Sequence, residues 1–302
     1  MKILIGSPVY QNPRILTEFL KGIYELEKGN IDIDYCFVDD NTDEKSTMQL
    51  KMFSEKTKAI IISADEILDD EADYNSHQWD SKNLYRVALF KNKIIEYAVK
   101  EKYDYLLLID SDIVMDRRSL LQLISDKKDI VSNVFWNQWV KNGKATPQCF
   151  WIPDIYDQFE KFNTKLSFEV ADKIRNEMIE TLKTPGLYEV DGLGACTLIK
   201  REALENGVNF TKIPNLKIPG EDRDFCIRAG VLGYQLFIDT HYPAYHISKE
   251  QFIDRVDEFK RDGYKYDMCL VFDEVENKPK RFQAIRNLLF RVGSKLVRDY
   301  KP

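Results

Sequence analysis

Two carboxylates separated by one residue, Asp110 and Asp112, follow the clearest strand pattern of the chain, Tyr105–Ile109. In open α/β sheets, ligands bind beyond the carboxyl ends of the strands, which is where both acids would lie. Carboxylate oxygens are the hard ligands that Mg²⁺ or Mn²⁺ accepts while it bridges a diphosphate. An Asp-x-Asp sequence also suits a capped turn after a strand, so a structural role stays open for these residues alone.

A second pair of acids, Glu221 and Asp222, follows Gly220 and precedes the apolar residues 225–227. This order predicts the N-terminus of a helix, where negative charge is stabilised, so capping alone explains one of the two acids. A carboxylate is also the group that general-base catalysis needs to take a proton from an attacking hydroxyl.

The three histidines differ in their surroundings. His77 falls in the acidic segment 65–80, where a solvated side chain is expected, whereas His241 and His246 follow a predicted strand. No spacing supports a Ser-His-Asp or Cys-His catalytic set. The sequence also has no glycine-rich phosphate loop of the P-loop or dinucleotide type.

The elements that must position these residues alternate in the first half of the chain. Apolar runs follow amphipathic helical stretches, a pattern typical of βαβ units and an α/β fold with a mostly parallel sheet flanked by helices. The predicted strands are 3–5, 34–38, 58–62, 105–109, 129–134, 195–199 and 235–238, and the predicted helices are 13–26, 84–99, 168–182 and 222–229.

The simplest division of the chain is a catalytic domain at 1–248 and a helical C-terminal extension at 249–302. Within the first domain, 1–134 would bind the nucleotide and 135–248 would face the acceptor. The last 25 residues carry eight Lys and Arg against Asp299, which leaves about −13 for the acidic body. A basic amphipathic tail can lie on an anionic membrane, dock on the body or pair with a second subunit, and all three stay open.

Composition limits the class of protein. At 302 residues and 44% hydrophobic content, the chain can bury a large core, and its net charge of −6 argues against general nucleic-acid binding. No apolar run reaches the roughly 18 residues of a membrane span and no signal-peptide pattern opens the chain, so a cytoplasmic protein, with membrane association through the tail left open, is expected. Five widely spaced cysteines without ligand-like spacing predict reduced core residues.

Six short motifs in one order resemble glycosyltransferase family 2 and its GT-A-fold relatives. They are Ser7-Pro8-Val9-Tyr10, Val38-Asp39-Asp40-Asn41-Thr42, Lys91-Asn92, Asp110-Ser111-Asp112, Asp191-Gly192-Leu193-Gly194-Ala195 and Gly220-Glu221-Asp222. The resemblance runs from Met1 to about His246. It implies a Rossmann-like GT-A sheet and a metal-dependent glycosyltransferase that uses a nucleotide-diphosphate sugar.

The resemblance also implies a role for each matching residue. The donor nucleotide would be bound by Pro8, Val9, Tyr10, Asp39, Asp40, Lys91, Asn92, Asp110 and Ser111. Arg86 lies outside the matching motifs, and it could add a donor contact or be a surface arginine. Lys91-Asn92 stands where the family usually has Arg-Asn, so the positive charge is retained and the planar guanidinium fork is lost. A Mn²⁺ or Mg²⁺ ion would be held by Asp110, Asp112 and His246, with His246 favoured over His241.

The remaining implied roles concern the transfer itself. Asp191, Gly192 and Gly194 would border the sugar and acceptor pocket, since small side chains let a ligand approach the backbone closely. Asp222 would be the catalytic base of an inverting transfer and Glu221 would orient the acceptor. A UDP-sugar is the favoured donor, and a glycan, a lipid-linked or a protein acceptor are all open. The alternatives are a nucleotidyltransferase that forms sugar nucleotides and a non-catalytic nucleotide- or carbohydrate-binding module.

Overall fold

The computed structural model describes residues 1–68, 81–138, 145–147, 168–216 and 220–268. His77, Cys149, Cys269 and the basic tail lie outside the described residues, as do 139–144, 148–167 and 217–219 of the part predicted to face the acceptor. The remaining cysteines, Cys36, Cys196 and Cys226, are free and buried, which confirms the prediction for these three.

The described strands form one ten-stranded sheet. Their bounds are β1 Lys2–Val9, β2 Asp32–Asp39, β3 Ile60–Ser63, β4 Tyr105–Ile109, β5 Ile113–Val114, β6 Ile130–Asn137, β7 Thr146–Pro147, β8 Leu187–Val190, β9 Cys196–Lys200 and β10 Leu236–His246. The main order is β3-β2-β1-β4-β9-β6-β10-β5, with β7 beside β6 and β8 beside β10.

Six of these strands run in the same direction, which confirms the mostly parallel sheet. The pairs of β1 with β2 and β4, and of β2 with β3, are parallel. Strand β9 runs antiparallel to both β4 and β6, so β6 and its parallel neighbour β10 share the direction of β4. The carboxyl ends of all six strands therefore lie along one edge of the sheet, called here the carboxyl edge.

Helices cover the sheet on the described part of the chain. Their bounds are α1 Pro13–Tyr24, α2 Glu44–Thr57, α3 Ser81–Lys100, α4 Ser119–Ser125, α5 Phe168–Thr181, α6 Arg201–Glu205, α7 Glu221–Val231 and α8 Val256–Asp262. Helix α1 begins as its sequence predicts, with Pro13 in the first turn and the Asn12 side chain accepting a hydrogen bond from the Arg14 N–H at 2.9 Å.

Helix α2 was not predicted from the sequence. Only Ser46 and Leu50 are buried on it, so it lacks the apolar stripe that identifies α1. Its start is nevertheless capped by Asp43, which accepts from the Lys45 N–H at 2.9 Å. Helix α2 is therefore stabilised by its N-terminal cap and by packing against α1, and it has no strong hydrophobic periodicity that would predict it.

Two strands are longer than their apolar runs indicate. β1 continues through Pro8 and Val9, which were expected after the strand, and β10 continues eight residues beyond Ile238 to His246. The extension of β10 contains polar residues and a register shift between Asp239 and Ala244, so no alternating pattern marks it. The same extension brings His246 to the carboxyl edge.

The start of the C-terminal extension packs on the catalytic part of the chain. Residues Phe252, Val256, Phe259 and Met268 form a second buried cluster with Ile15 of α1, Val114 of β5, Tyr245 of β10 and Ile247. The proposed domain boundary at 248 stays a prediction. Among the described helices, none combines the length and the hydropathy needed to cross a bilayer.

Candidate active site

A short turn after β4 separates the two aspartates of the Asp-x-Asp motif. The Asp110 N–H donates to the Ala195 carbonyl at 2.9 Å, and the Ile113 N–H closes the turn on the Asp110 carbonyl at 3.1 Å. Ser111 is buried between the acids. Because β5 then pairs antiparallel with the end of β10, Ile113 lies opposite His246. The turn thus places Asp112 beside this histidine.

His246 is held from both ring nitrogens. Its Nε2 lies 3.2 Å from Asp112 Oδ2, and its Nδ1 lies 2.8 Å from Asn137 Oδ1 at the end of β6. Asn137 Oδ1 is a side-chain carbonyl oxygen and can only accept a hydrogen bond, so Nδ1 of His246 carries the hydrogen. In the neutral ring, Nε2 is then an acceptor that faces Asp112. Burial lowers the pKa of His246, but the nearby Asp112 and Asp110 carboxylates outweigh it and raise the pKa overall.

The predicted metal site of Asp110, Asp112 and His246 stays a prediction. Within the described ranges, no group of three or more His, Cys, Asp or Glu side chains has the arrangement to hold a metal ion. Asp112 contacts His246, and Asp110 lines a pocket.

That pocket lies at the carboxyl edge between β1, β4 and helix α7. It is lined by Pro8, Lys91, Leu108, Ile109, Asp110, Leu193, Gly194, Ala195, Thr197, Phe210, Asp222 and Phe225. The predicted donor residue Pro8, the predicted pocket residue Gly194 and the predicted base Asp222 therefore share one cavity. Gly194 is fixed by its carbonyl, which accepts from the Thr197 hydroxyl at 2.7 Å. The neighbouring Gly192 is buried and Asp191 is half-buried.

Lys91 connects helix α3 to the start of α7. Its ammonium lies 2.9 Å from Asp222 Oδ1 and 3.3 Å from Glu221 Oε1, and the side chain is almost completely buried. Burial opposes the charge on Lys91, but the carboxylates of Asp222, Glu221 and Asp110 raise its pKa overall. The lysine is therefore a permanent cation among three acids.

Two of these acids hold their protons more tightly than usual. Burial raises the pKa of Asp110, and together with the neighbouring Asp112, Asp222 and Glu221 and against the opposing effect of Lys91 it brings this pKa to about 7. Burial and Asp222 also raise the pKa of Glu221. Clustered acids with displaced pKa values in a cleft are typical of functional sites.

The two aspartates at the end of β2 differ in their partners. Asp40 accepts from both Nε and Nη2 of Arg86 in a two-pronged ion pair, with the Nε contact at 2.9 Å. Asp39 Oδ1 accepts from the backbone and side-chain N–H groups of Asn41 at 3.1 and 2.7 Å. Asp39 Oδ2 makes no hydrogen bond to another described residue, so this oxygen is open to a ligand.

Tyr10 and Val9 complete the predicted nucleotide side. Val9 is buried in β1, and its carbonyl accepts from the Asp40 N–H at 2.9 Å. Tyr10 is exposed at the strand end, with its hydroxyl 3.3 Å from the Thr42 hydroxyl. The ends of β1 and β2 are thereby joined, and Tyr10 presents an exposed aromatic ring at the end of β1.

The sequence profile of the Anp1 family matches residues 1–184, more than half of the chain. The chain belongs to the Anp1 family. Anp1 is a family of GT-A-like mannosyltransferases, which confirms the predicted GT-A fold and glycosyltransferase class, while the narrower assignment to family 2 is not confirmed.

Solved structures with a similar fold share little sequence with this Anp1-family chain. S. aureus TarS 1-349 is 16% identical with a TM-score of 0.44, over 81% of this chain and 60% of that one. TarS 1-349 in complex with UDP is 14% identical, with a TM-score of 0.45 over 88% and 67%. Mannosyltransferase PcManGT from Pyrobaculum calidifontis in complex with GDP-Man and Mn²⁺ is 13% identical, with a TM-score of 0.41 over 88% and 66%. The chain spans 40% of a longer TarS structure. No curated protein sequence matches it.

One predicted donor residue of the Anp1-family chain has its polar atoms engaged within the protein. Asn92 Oδ1 accepts from the Phe210 N–H at 2.8 Å, and Asn92 Nδ2 donates to the Thr211 hydroxyl at 3.2 Å. The amide thus fixes the segment before α7, and its predicted contact with the donor stays a prediction. Lys91 contacts the acids at the start of α7, and its predicted contact with the donor stays a prediction as well.

Two residues of the site were missed from the sequence. Asn137 orients His246, and the Phe210 ring lies 4.8 Å from the Lys91 ammonium. A signal for Asn137 existed, because this amide directly follows the apolar residues 134–136 at the end of β6. No local pattern marks Phe210, since its contact with Lys91 depends on tertiary packing.

Proposed function

We propose that this Anp1-family chain transfers a sugar from a nucleotide diphosphate to an acceptor hydroxyl, with Asp112 and His246 on the diphosphate side and Asp222 on the acceptor side. The observation that carries this proposal is the meeting of both groups at one edge of the sheet. Asp112 lies 3.2 Å from His246, and Asp110 of the same turn lines the pocket that contains Asp222.

The ends of β1 and β2 are the proposed nucleotide site. Asp39 has one carboxylate oxygen open and its other oxygen fixed by Asn41, so it can accept a hydrogen bond from a base or ribose without rearranging. Asp40 is the less suitable acceptor because Arg86 already binds both of its oxygens. Exposed Tyr10 offers a ring face to the base.

Asp112 and His246 are the residues that would hold a divalent cation. Their facing atoms are an oxygen and an imidazole nitrogen, and Asn137 fixes the histidine from its other nitrogen, as is usual for metal-binding histidines. Two protein ligands suffice for Mg²⁺ or Mn²⁺ when substrate phosphates supply further oxygens. When bound there, the cation would offset the negative charge on the departing diphosphate.

Asp222 is the proposed base, and exposure separates it from its neighbour. The Asp222 side chain is 27% exposed and lines the pocket, whereas Glu221 is 8% exposed and points to Lys91. As the acceptor oxygen bonds to the anomeric carbon, the bond from that carbon to the diphosphate breaks, and the hydroxyl proton passes to Asp222. This single displacement inverts the anomeric centre.

A thermal-shift panel tests the donor and the metal together. Binding of GDP-mannose, the first donor to test for an Anp1-family chain, or of UDP-linked sugars should raise the melting temperature, and Mn²⁺ should increase the effect. Asp222→Asn should keep this shift and lose turnover, while Asp112→Ala should lose the dependence on Mn²⁺. If no sugar nucleotide shifts the melting temperature with or without Mn²⁺, the proposal is wrong.

The stereochemistry has its own test. Once a donor is found, proton NMR of the freshly released sugar distinguishes the two anomers. An inverted anomer supports Asp222 as a base in a single displacement. A retained anomer would contradict the base role and leave only the donor and metal parts of the proposal.

A further inference from the structure

Lys91 is buried where a lysine is costly. Its side chain is 4% exposed, although removing an ammonium from water destabilises a protein unless partners compensate. The partners are Asp222 and Glu221, 131 and 130 residues away in the chain, at the first turn of α7. The contact therefore exists only because α3 and α7 pack side by side.

The contact with Lys91 has a different effect on each of the two acids. Glu221 is as buried as the lysine, so the contact between them compensates two buried charges. Asp222 is partly exposed in the pocket, and there the same contact fixes one carboxylate oxygen, Oδ1, at 2.9 Å from the ammonium. Asp222 Oδ2 makes no hydrogen bond within the described part of the chain, so this oxygen remains able to receive a proton.

We propose that Lys91 is a positioning residue for sugar transfer, which holds the Asp222 carboxylate in the one orientation that presents Oδ2 to the attacking hydroxyl. This inference rests on the proposed function. A carboxylate in the first turn of a helix otherwise rotates among several staggered positions, and a small misplacement of a reacting group can cost about 100-fold in rate. The Phe210 ring beside the ammonium limits the movement of Lys91 itself.

A purely structural role makes a different prediction. If Lys91 serves only to neutralise buried Glu221, then removing both charges together should restore activity as well as stability. If Lys91 positions Asp222, the double variant should regain stability and remain slow. The pair Lys91 and Glu221 therefore separates the two roles.

The experiment measures GDP-mannose hydrolysis with Mn²⁺, in which water takes the place of the acceptor and its proton passes to Asp222. The variants are Lys91→Met, Glu221→Gln and the double variant, each with its melting temperature and with kcat and KM determined separately. Lys93→Met is the matched control, because Lys93 lies on the same helix with its side chain 47% exposed.

We expect kcat of the double variant to be about 100-fold below that of Glu221→Gln, with KM for GDP-mannose within about threefold and a melting temperature recovered from that of Lys91→Met. Equal kcat for the double variant and Glu221→Gln would overturn the positioning role while leaving the proposed function intact. If the unaltered chain neither binds nor hydrolyses GDP-mannose or a UDP-linked sugar, both proposals fail.

Discussion

Asp112 Oδ2 lies 3.2 Å from His246 Nε2, although 134 residues separate them in the chain. The short antiparallel pairing of β5 with the end of β10 brings them together. Among the described residues, Asp112 Oδ2 and His246 Nε2 each make no other hydrogen bond. The contact therefore joins the turn after the central strand to the last residue of β10.

Replacing Asp112 or His246 should remove most of the stabilisation that Mn²⁺ gives. With GDP present, Asp112→Asn and His246→Gln should lose most of the increase in melting temperature that Mn²⁺ gives the unaltered chain, because each substitution removes one of the two proposed protein ligands. Differential scanning fluorimetry measures the increase. His241→Gln is the control, since His241 contacts Asp239 instead. An undiminished Mn²⁺ response in both variants would contradict the site.

Asn137 should influence the metal without touching it. It fixes the ring of His246 through Nδ1 at 2.8 Å, and loss of such a supporting contact typically weakens metal binding 10- to 100-fold. We expect Asn137→Ala to raise the Kd for Mn²⁺ by at least about tenfold in a calorimetric titration. Thr146→Val is the control, because the Thr146 hydroxyl donates to the backbone carbonyl of Asn137 and not to the side chain that contacts His246. Equal Kd values for Asn137→Ala and the control would show that His246 is oriented by other contacts.

The sequence predicts elements better where chemistry and periodicity coincide. β4 has the predicted bounds because five apolar residues end abruptly at Asp110. β10 was cut short because Asp239, Thr240 and His241 interrupt its apolar pattern, although Asp239 and Thr240 are buried and hydrogen-bonded. A buried polar residue in a strand is therefore the main reason why the position of His246 in a strand could not be predicted.

Residue types at the site were easier to predict than their contacts. The acids and His246 are chemically conspicuous, whereas the partner of each depends on packing between distant elements. Lys91 has the charge expected near a diphosphate, yet its nearest acids come from α7, which follows 130 residues later. The Asn92 amide likewise bonds a segment far along the chain. No local pattern encodes such contacts. The sequence therefore indicates which residues belong to the site, and only the fold shows which partner each of them has.

Gly6 should be intolerant of even a methyl group. A Cβ built at this position in β1 would lie 2.4 Å from Ile94 Cγ2, which is closer than two non-bonded carbon atoms can approach. Ile94 and with it α3 would have to move away from the sheet. We expect Gly6→Ala to lower the free energy of unfolding by about 1–3 kcal/mol in urea denaturation. Gly230→Ala is the matched control, because nothing lies within 4 Å of its Cβ and alanine favours the helix, so a gain of about 0.5–1 kcal/mol is expected. Equal effects of the two substitutions would refute the close approach of α3.

Arg86 should stabilise the fold through Asp40 more than a surface ion pair does. Both side chains are largely buried, at 19% and 13% exposure, and the guanidinium binds both carboxylate oxygens. Arg86→Met keeps the aliphatic length but leaves a largely buried carboxylate without its partner, which should lower the free energy of unfolding by about 1–3 kcal/mol. Arg14→Met removes a comparable contact to Glu250 at 61% and 48% exposure, where a change within about 0.5 kcal/mol is expected. Urea denaturation of both variants measures the difference. A loss for Arg86→Met no larger than that for Arg14→Met would mean that solvent screens the Asp40 pair as well, and Asp40 would then be as free as Asp39 to bind a ligand.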